Sequence, residues 1–257
     1  MAREGGGALA VVAGSGMSGV AEAFEAEATV PFEAIEGVGA CTVAGHPGEV
    51  RWCRTGAAHP AVRLALVLGR RHVYEGEPAA MFRLFEWLRD EGVTDVVVAS
   101  AAGSLRREVR AGEFVVVWDV LDRQNRAPSS TAPLERRTTV DPALTRALET
   151  ACLAAGVRTT RGVLACHTGP AYETPAEVTF SQRTGATLVT MSAAPEIAYA
   201  GALGMRVAAL AAITNAATGI EHAAPEHGEV IEAAGRASAD LARLISQLIV
   251  SQAIAKE

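Results

Sequence analysis

Aromatic residues make up only 5% of this 257-residue chain, and cysteine occurs only four times. A core poor in rings has to be filled by aliphatic strands and alanine-rich helices, and 49% of the residues are hydrophobic. A chain of this length buries about 75% of its unfolded surface, so it needs neither disulfides nor metal to hold a fold. Cys41, Cys53, Cys152 and Cys166 are widely spaced and form neither a C-x-x-C nor a Cys/His ligand pattern. They read as reduced thiols, with no metal site. There is no run of basic residues, and the net charge is −6, so the electrostatic footprint of a nucleic-acid binder is missing. No apolar run reaches the roughly 18 residues that a membrane span requires. The N-terminal residues carry an arginine and a glycine triplet instead of an uninterrupted apolar segment. No signal peptide is expected, and the expected location is cytoplasmic. Internal repeats and linker-like stretches are also absent.

What is present is an alternation of apolar runs and amphipathic segments. The runs at Ala8–Ala13, Val62–Leu68, Asp95–Ser100, Glu113–Val120, Gly162–Ala165, Thr187–Thr190 and Val207–Ile213 read as strands, several of them β-branched and Gly-bounded like buried strands. Between them, Met81, Phe82, Phe85 and Leu88 share one face of a helix over Pro78–Asp90. Asp141-Pro142 supplies an N-cap and a first-turn proline for a helix running towards Gly156. Pro175–Gly185 and Pro195–Gly204 repeat that start and stop, and a longer amphipathic helix runs from Glu226 to Ile249. The alternation predicts an α/β fold: a single domain over residues 1–257, with a central mixed, largely parallel twisted β-sheet flanked by helices. In such folds ligands gather at the carboxyl ends of strands. Arg123–Thr139, with four arginines, two prolines and little periodicity, predicts a surface loop.

Polar motifs stand where strands end. Gly14-Ser-Gly-Met-Ser-Gly19 follows the first strand and fits either a dinucleotide fingerprint or an anion cradle of glycine amides and the Ser15 hydroxyl. A dinucleotide site would need an acidic residue at the end of a second strand, and Glu33 and Glu36 stand near that distance beside Pro31 and Gly37-Val-Gly39, which make a poor strand. Gly69-Arg-Arg-His-Val-Tyr-Glu-Gly76 sets a planar guanidinium two residues from a histidine, so both reach one side of an extended segment. Ala99-Ser-Ala-Ala-Gly-Ser104 closes another strand with small residues that allow close backbone approach. Thr168-Gly-Pro-Ala-Tyr-Glu-Thr174, Met191-Ser192 and Thr214-Asn215 add an aromatic, a carboxylate, a hydroxyl and an amide. Each alone also fits a cap, turn or solvated loop. Their order is what carries information.

Taken with Gly45-His46, Pro195-Glu196 and His227, this order resembles the trimeric purine nucleoside phosphorylases, a family that includes the methylthioadenosine phosphorylases. The resemblance covers about residues 8–250. It implies the nucleoside phosphorylase fold and the phosphate-dependent cleavage of a purine nucleoside. It also implies phosphate as co-substrate, no cofactor and a homotrimer. By similarity, Ser15, Arg70, His72, the Ala101 N–H and Ser192 would hold phosphate. Tyr74 and the Met191 backbone would meet the ribose hydroxyls, and His227 the 5′-hydroxyl. Tyr172 would line the base, Glu173 would accept from the purine and Asn215 would bond N7 and O6. His72, Glu173 and Asn215 are thereby the expected catalytic residues.

Substrate choice turns on two positions. Asn follows Thr214 where relatives acting on 6-aminopurines carry Asp, and His227 suits a hydroxyl better than a methylthio group. Both imply inosine, guanosine and their 2′-deoxy forms. Methylthioadenosine is the rival substrate within the family, and a dinucleotide-dependent oxidoreductase resting on Gly14–Gly19 is the rival of another class. The chain departs from the family at Ser100, where many members have Asn, and at Ser104, where many have Gly. Between Trp118 and Tyr172 it holds no Phe or Tyr, so the aromatic that the family's loop lends to a neighbouring site is absent or replaced.

Overall fold

The side chains of strand β1 (Ala8–Ala13) alternate between two buried faces. Ala8, Ala10 and Val12 join one apolar cluster; Leu9, Val11 and Ala13 join another. A strand buried on both sides needs helices on each face of its sheet. The computed structural model, which describes residues 7–42, 46–55, 62–76, 78–124, 140–220 and 227–254, has that layering. Helices α1 (Pro78–Asp90) and α4 (Ala193–Ala202) cover the first face through Met81, Leu84, Phe85, Leu88 and Ile197. Helices α2 (Pro142–Ala154) and α5 (His227–Ile254) cover the second through Leu144, Leu148, Leu241, Ile245 and Leu248.

β1 lies between β4 (Leu64–Leu68) and β5 (Val93–Ser104) and is parallel to both. Beyond β4, strands β3 (Glu49–Cys53) and β2 (Ala26–Pro31) extend the sheet in antiparallel fashion. On its other side β5 runs parallel to β9 (Arg206–Ala216) and pairs antiparallel, at its last residues, with β8 (Leu188–Thr190). β7 (Thr159–Cys166) is parallel to β8 and to β6 (Phe114–Asp122), and β6 returns antiparallel to β9. The strands β5, β8, β7, β6 and β9 therefore close a ring, which leaves that half of the sheet without a free edge. Past a register shift between Ala102 and Gly103, the last two residues of β5 pair with β9 on one side and with β8 on the other. The result is a single α/β domain with a mixed sheet flanked by helices, as the sequence predicts. Its antiparallel share is substantial, at four of the nine strand pairings among the described residues.

Three details differ from the sequence-based expectation. β2 and β3 are strands that the apolar pattern does not announce, because β2 is an exposed edge whose proline stands at its end. The glycine-rich loop leads into a short 3-10 turn (Ser18–Ala23), and the next strand pairs antiparallel at the sheet edge. That is not a βαβ unit, so the dinucleotide reading of Gly14–Gly19 loses its structural basis. Helix α4 begins at Ala193, two residues before the proline expected to start it. Within Arg123–Thr139, residues 125–139 lie outside the described residues, and so does Gly45 of the Gly45-His46 pair.

All four cysteines are free. Burial pushes the thiols of Cys41 and Cys53 up to about 11 and that of Cys152 up to about 12. No helix among the described residues is long and apolar enough to cross a membrane.

Asp141 caps α2 as its sequence position suggests, its carboxylate accepting from the Leu144 N–H at 2.7 Å ahead of Pro142. Asp141→Ala is expected to lower stability by about 1 kcal/mol. Urea unfolding checks this, and an unchanged midpoint would contradict the capping role.

Candidate active site

The ends of β1, β4, β5, β8 and β9 and the segment after β7 surround a cleft open to solvent. Ser15, Arg70, His72, Tyr74, Ala101, Tyr172, Glu173, Met191, Ser192 and Asn215 all line it. Ten positions scattered over two hundred residues thus meet in one cavity. His227 opens α5, but its side chain lies outside the described residues.

Arg70 is the most deeply set of them, at 2% exposure. Its Nη2 donates to the Ala99 carbonyl of β5 at 2.6 Å and its Nη1 to Ser192 Oγ at 2.5 Å. Glu196 of α4 adds a carboxylate 3.4 Å from Nη1. The Ala99 carbonyl also accepts the Gly14 N–H at 3.1 Å, so the glycine-rich loop and the guanidinium share one acceptor. A Cβ on Gly14 would stand 3.1 Å from both Nη2 and that oxygen, tighter than ordinary contact. The small residue after β1 is what lets Arg70 lie flat there.

A stack of rings covers the next part. His72 lies between His46, 5.4 Å away, and Tyr74, 4.7 Å away, with interplanar angles of 19° and 22°. His46 meets Ser15 Oγ through Nε2 at 3.0 Å and the Arg70 backbone through Nδ1, so its donor and acceptor roles follow the ring tautomer. Glu75 accepts the His72 N–H at 2.5 Å, lies 3.2 Å from its Nδ1 and accepts the Thr42 hydroxyl. Burial, and then the neighbouring Arg70 and His46, push the His72 imidazole down to about 3 against the pull of Glu75. His72 is therefore neutral near pH 7. Burial pushes the Glu75 carboxyl up, but its hydrogen bonds from Thr42 and His72 outweigh this and hold it below the usual range.

Tyr74 and Met191 pack on Gly169, whose φ of +68° suits glycine. A Cβ there would come within 2.7 Å of Met191 Sδ and 3.0 Å of Tyr74 Cδ1. Gln124 binds the same platform from behind: its Nε2 donates to the carbonyls of His167 at 2.9 Å and Met191 at 3.0 Å.

The segment after β7 is fixed by the start of α3 (Pro175–Arg183), where Thr174 and Glu177 form a reciprocal capping box. Just ahead of that cap, Glu173 is buried and Tyr172 is 38% exposed. Burial, seconded by Glu177, raises the Glu173 carboxyl above its usual range, and burial also raises the Tyr172 phenol. Asn215 stands at the end of β9 beside Gly103. Its Oδ1 accepts from the Thr214 hydroxyl at 2.7 Å, and its Nδ2 donates to the Ala216 carbonyl at 2.8 Å. One N–H and one lone pair of the amide remain for a ligand.

Sequence reasoning gave no role to His46, Glu75 or Gln124. The three-residue step from His72 to Glu75 was a visible signal for one of them. Gln124 had none, because its partners are two backbone carbonyls more than forty residues away.

The family model of the phosphorylase superfamily matches residues 8–250. A purine nucleoside phosphorylase of Cellulomonas sp. is 36% identical over 245 residues, covering 93% of this chain and 85% of the relative. One from Mycobacterium leprae is 34% identical over 244 residues, covering 94% and 88%. Among solved structures, a schistosome purine nucleoside phosphorylase in complex with hypoxanthine superposes with a TM-score of 0.81 at 23% identity, over 94% of this chain and 89% of that one. The chain belongs to the phosphorylase superfamily and, within it, to the purine nucleoside phosphorylase family.

Proposed function

We propose that the protein cleaves the N-glycosidic bond of 6-oxopurine nucleosides, inosine, guanosine and their 2′-deoxy forms, with phosphate as the nucleophile. The products are the free purine and α-(deoxy)ribose 1-phosphate. One observation carries this reading: a single cleft brings buried Arg70, with Ser15, His72 and Ser192, together with Tyr172, Glu173 and Asn215. In this reading Ser15, Arg70, His72, the Ala101 N–H and Ser192 hold phosphate beneath the anomeric carbon. Tyr74 and the Met191 backbone orient the ribose, and His227 meets the 5′-hydroxyl. A phosphate oxygen forms the new bond to C1′ as the C1′–N9 bond breaks and its electron pair leaves on the purine. The one free N–H of Asn215, shared between N7 and O6, answers that charge, and Glu173 accepts from the ring N–H. Catalysis rests on positioning and on leaving-group stabilisation, with no covalent enzyme intermediate. The protein works as a homotrimer in the cytoplasm.

The Thr214 hydroxyl supports the 6-oxopurine assignment. Holding the Asn215 oxygen, it fixes which edge of the amide donates. A 6-oxopurine presents acceptors at both N7 and O6, whereas a carboxylate at this position would only accept.

With phosphate present, inosine and guanosine are expected to be turned over at least about tenfold more efficiently than adenosine or methylthioadenosine. Equal or better turnover of either 6-aminopurine would overturn the assignment. Asn215→Asp should lower kcat/KM for inosine by about 100-fold or more and shift the inosine-to-adenosine ratio towards adenosine. An unchanged ratio would exclude Asn215 as the reader of position 6.

His72 also gives a pH signature. Its folded value near 3 lies below the 6.5 of an ordinary imidazole, so between those limits the unfolded chain binds a proton that the folded one refuses. Its contribution favours the folded state less and less as pH falls from 6.5 towards 3. In His72→Gln the decline in stability over this window should be shallower, as measured by urea unfolding without phosphate. An identical slope would contradict a neutral, buried His72.

A further inference from the structure

Pro195-Glu196 belongs to the series of motifs in the sequence, yet Glu196 does not line the cleft. It sits in the first turn of α4 at 1% exposure, with Oε2 3.4 Å from Arg70 Nη1. Among the described residues Glu196 Oε2 has no hydrogen-bond partner, and neither does Arg70 Nε. A well-made buried ion pair is a bidentate fork with every donor and acceptor satisfied, and this one is a single long contact. Such a pair does not recover its desolvation cost, and an apolar side chain would fill the space with less strain on stability. Burial raises the Glu196 carboxyl above its usual range, and the neighbouring Arg70 offsets this only in part. The other titratable group facing it is Cys166 at the end of β7, which has Asp122 of β6 beside it.

We propose that Glu196 is the internal counter-anion of Arg70. It compensates the guanidinium while the cleft holds no anion, and it competes with phosphate and with the phosphate ester product for that charge. Glu196 is thus a positioning residue, acting through Arg70. It weakens anion binding so that the product is released. The inference rests on reading the cleft as a phosphate site.

The physical reason is charge balance. Phosphate brings negative charge towards Nη1 and Ser192 Oγ while Glu196 already stands behind the same nitrogen. Two anions around one cation repel, so the carboxylate lowers affinity without blocking the cleft. A purely structural role for Glu196 makes the opposite prediction, because a displaced Arg70 would bind phosphate less well.

The test is calorimetric titration of inorganic phosphate into the wild-type protein, Glu196→Gln and Glu196→Asp, with steady-state kinetics alongside. Glu196→Gln keeps the volume and removes the charge; it should bind phosphate about tenfold more tightly than wild type. KM for phosphate and kcat should both fall, the latter because the ester leaves more slowly, while KM for inosine stays the same. Glu196→Asp, with its charge drawn back by one methylene, should fall between the two. Equal or weaker phosphate binding by Glu196→Gln overturns the proposal. If that variant does not fold, Glu196→Asp decides: tighter binding than wild type sustains the proposal, and equal or weaker binding overturns it. Failure of the wild-type protein to bind phosphate would overturn the reading of the cleft itself, a result distinct from wild-type binding without a gain in the variants.

Discussion

Burying a guanidinium costs several kcal/mol unless its donors are met, and the structure around the cleft is organised to meet those of the two Nη nitrogens of Arg70. The Ala99 carbonyl, Ser192 Oγ and the Glu196 carboxylate come from β5, the N-cap of α4 and the first turn of α4. Arg70 itself follows β4, and Gly14 at the end of β1 is small enough to let it pass. One side chain therefore ties the end of β4 to the middle of β5 and to a helix on the sheet's first face, passing the end of β1. The strand order β4, β1, β5 puts these segments side by side, so the corner proposed to bind phosphate is a consequence of the sheet.

The rest of the cleft is arranged in relation to that charge. Burial, with Arg70 and His46 beside it, keeps His72 neutral, and Glu75 holds it in register within the ring stack. Across from the packing of Tyr74 and Met191 on Gly169, the groups proposed to face the purine are fixed by local devices. A capping box follows Glu173, and the Thr214 hydroxyl orients Asn215. Fixed dipoles of this kind need no reorganisation when charge develops on a leaving group, and that is the form of catalysis proposed for this chain.

Much of this was legible in the residues. Ala8–Ala13, Pro78–Asp90 and the Asp141 cap were readable because burial on two faces, helical spacing and a capping aspartate each leave a local pattern. Ten candidate site residues were recovered in one cleft because strand-end motifs keep their order even when their spacing says nothing of their contacts. β2 and β3 were not legible: an exposed edge strand such as Ala26–Pro31 carries no apolar alternation. The roles of Glu196 and Gln124 were hidden for another reason. Their partners are long-range, and Gln124 reads in sequence as part of a polar loop.

The central claim is that phosphate, and not water, displaces the purine. Its most direct test is the release of hypoxanthine from inosine, measured against phosphate concentration with ribose 1-phosphate quantified in parallel. The account predicts saturable dependence on phosphate and one ribose 1-phosphate for each base released. Base release that proceeds equally well without phosphate, or no release at any phosphate concentration, would contradict it.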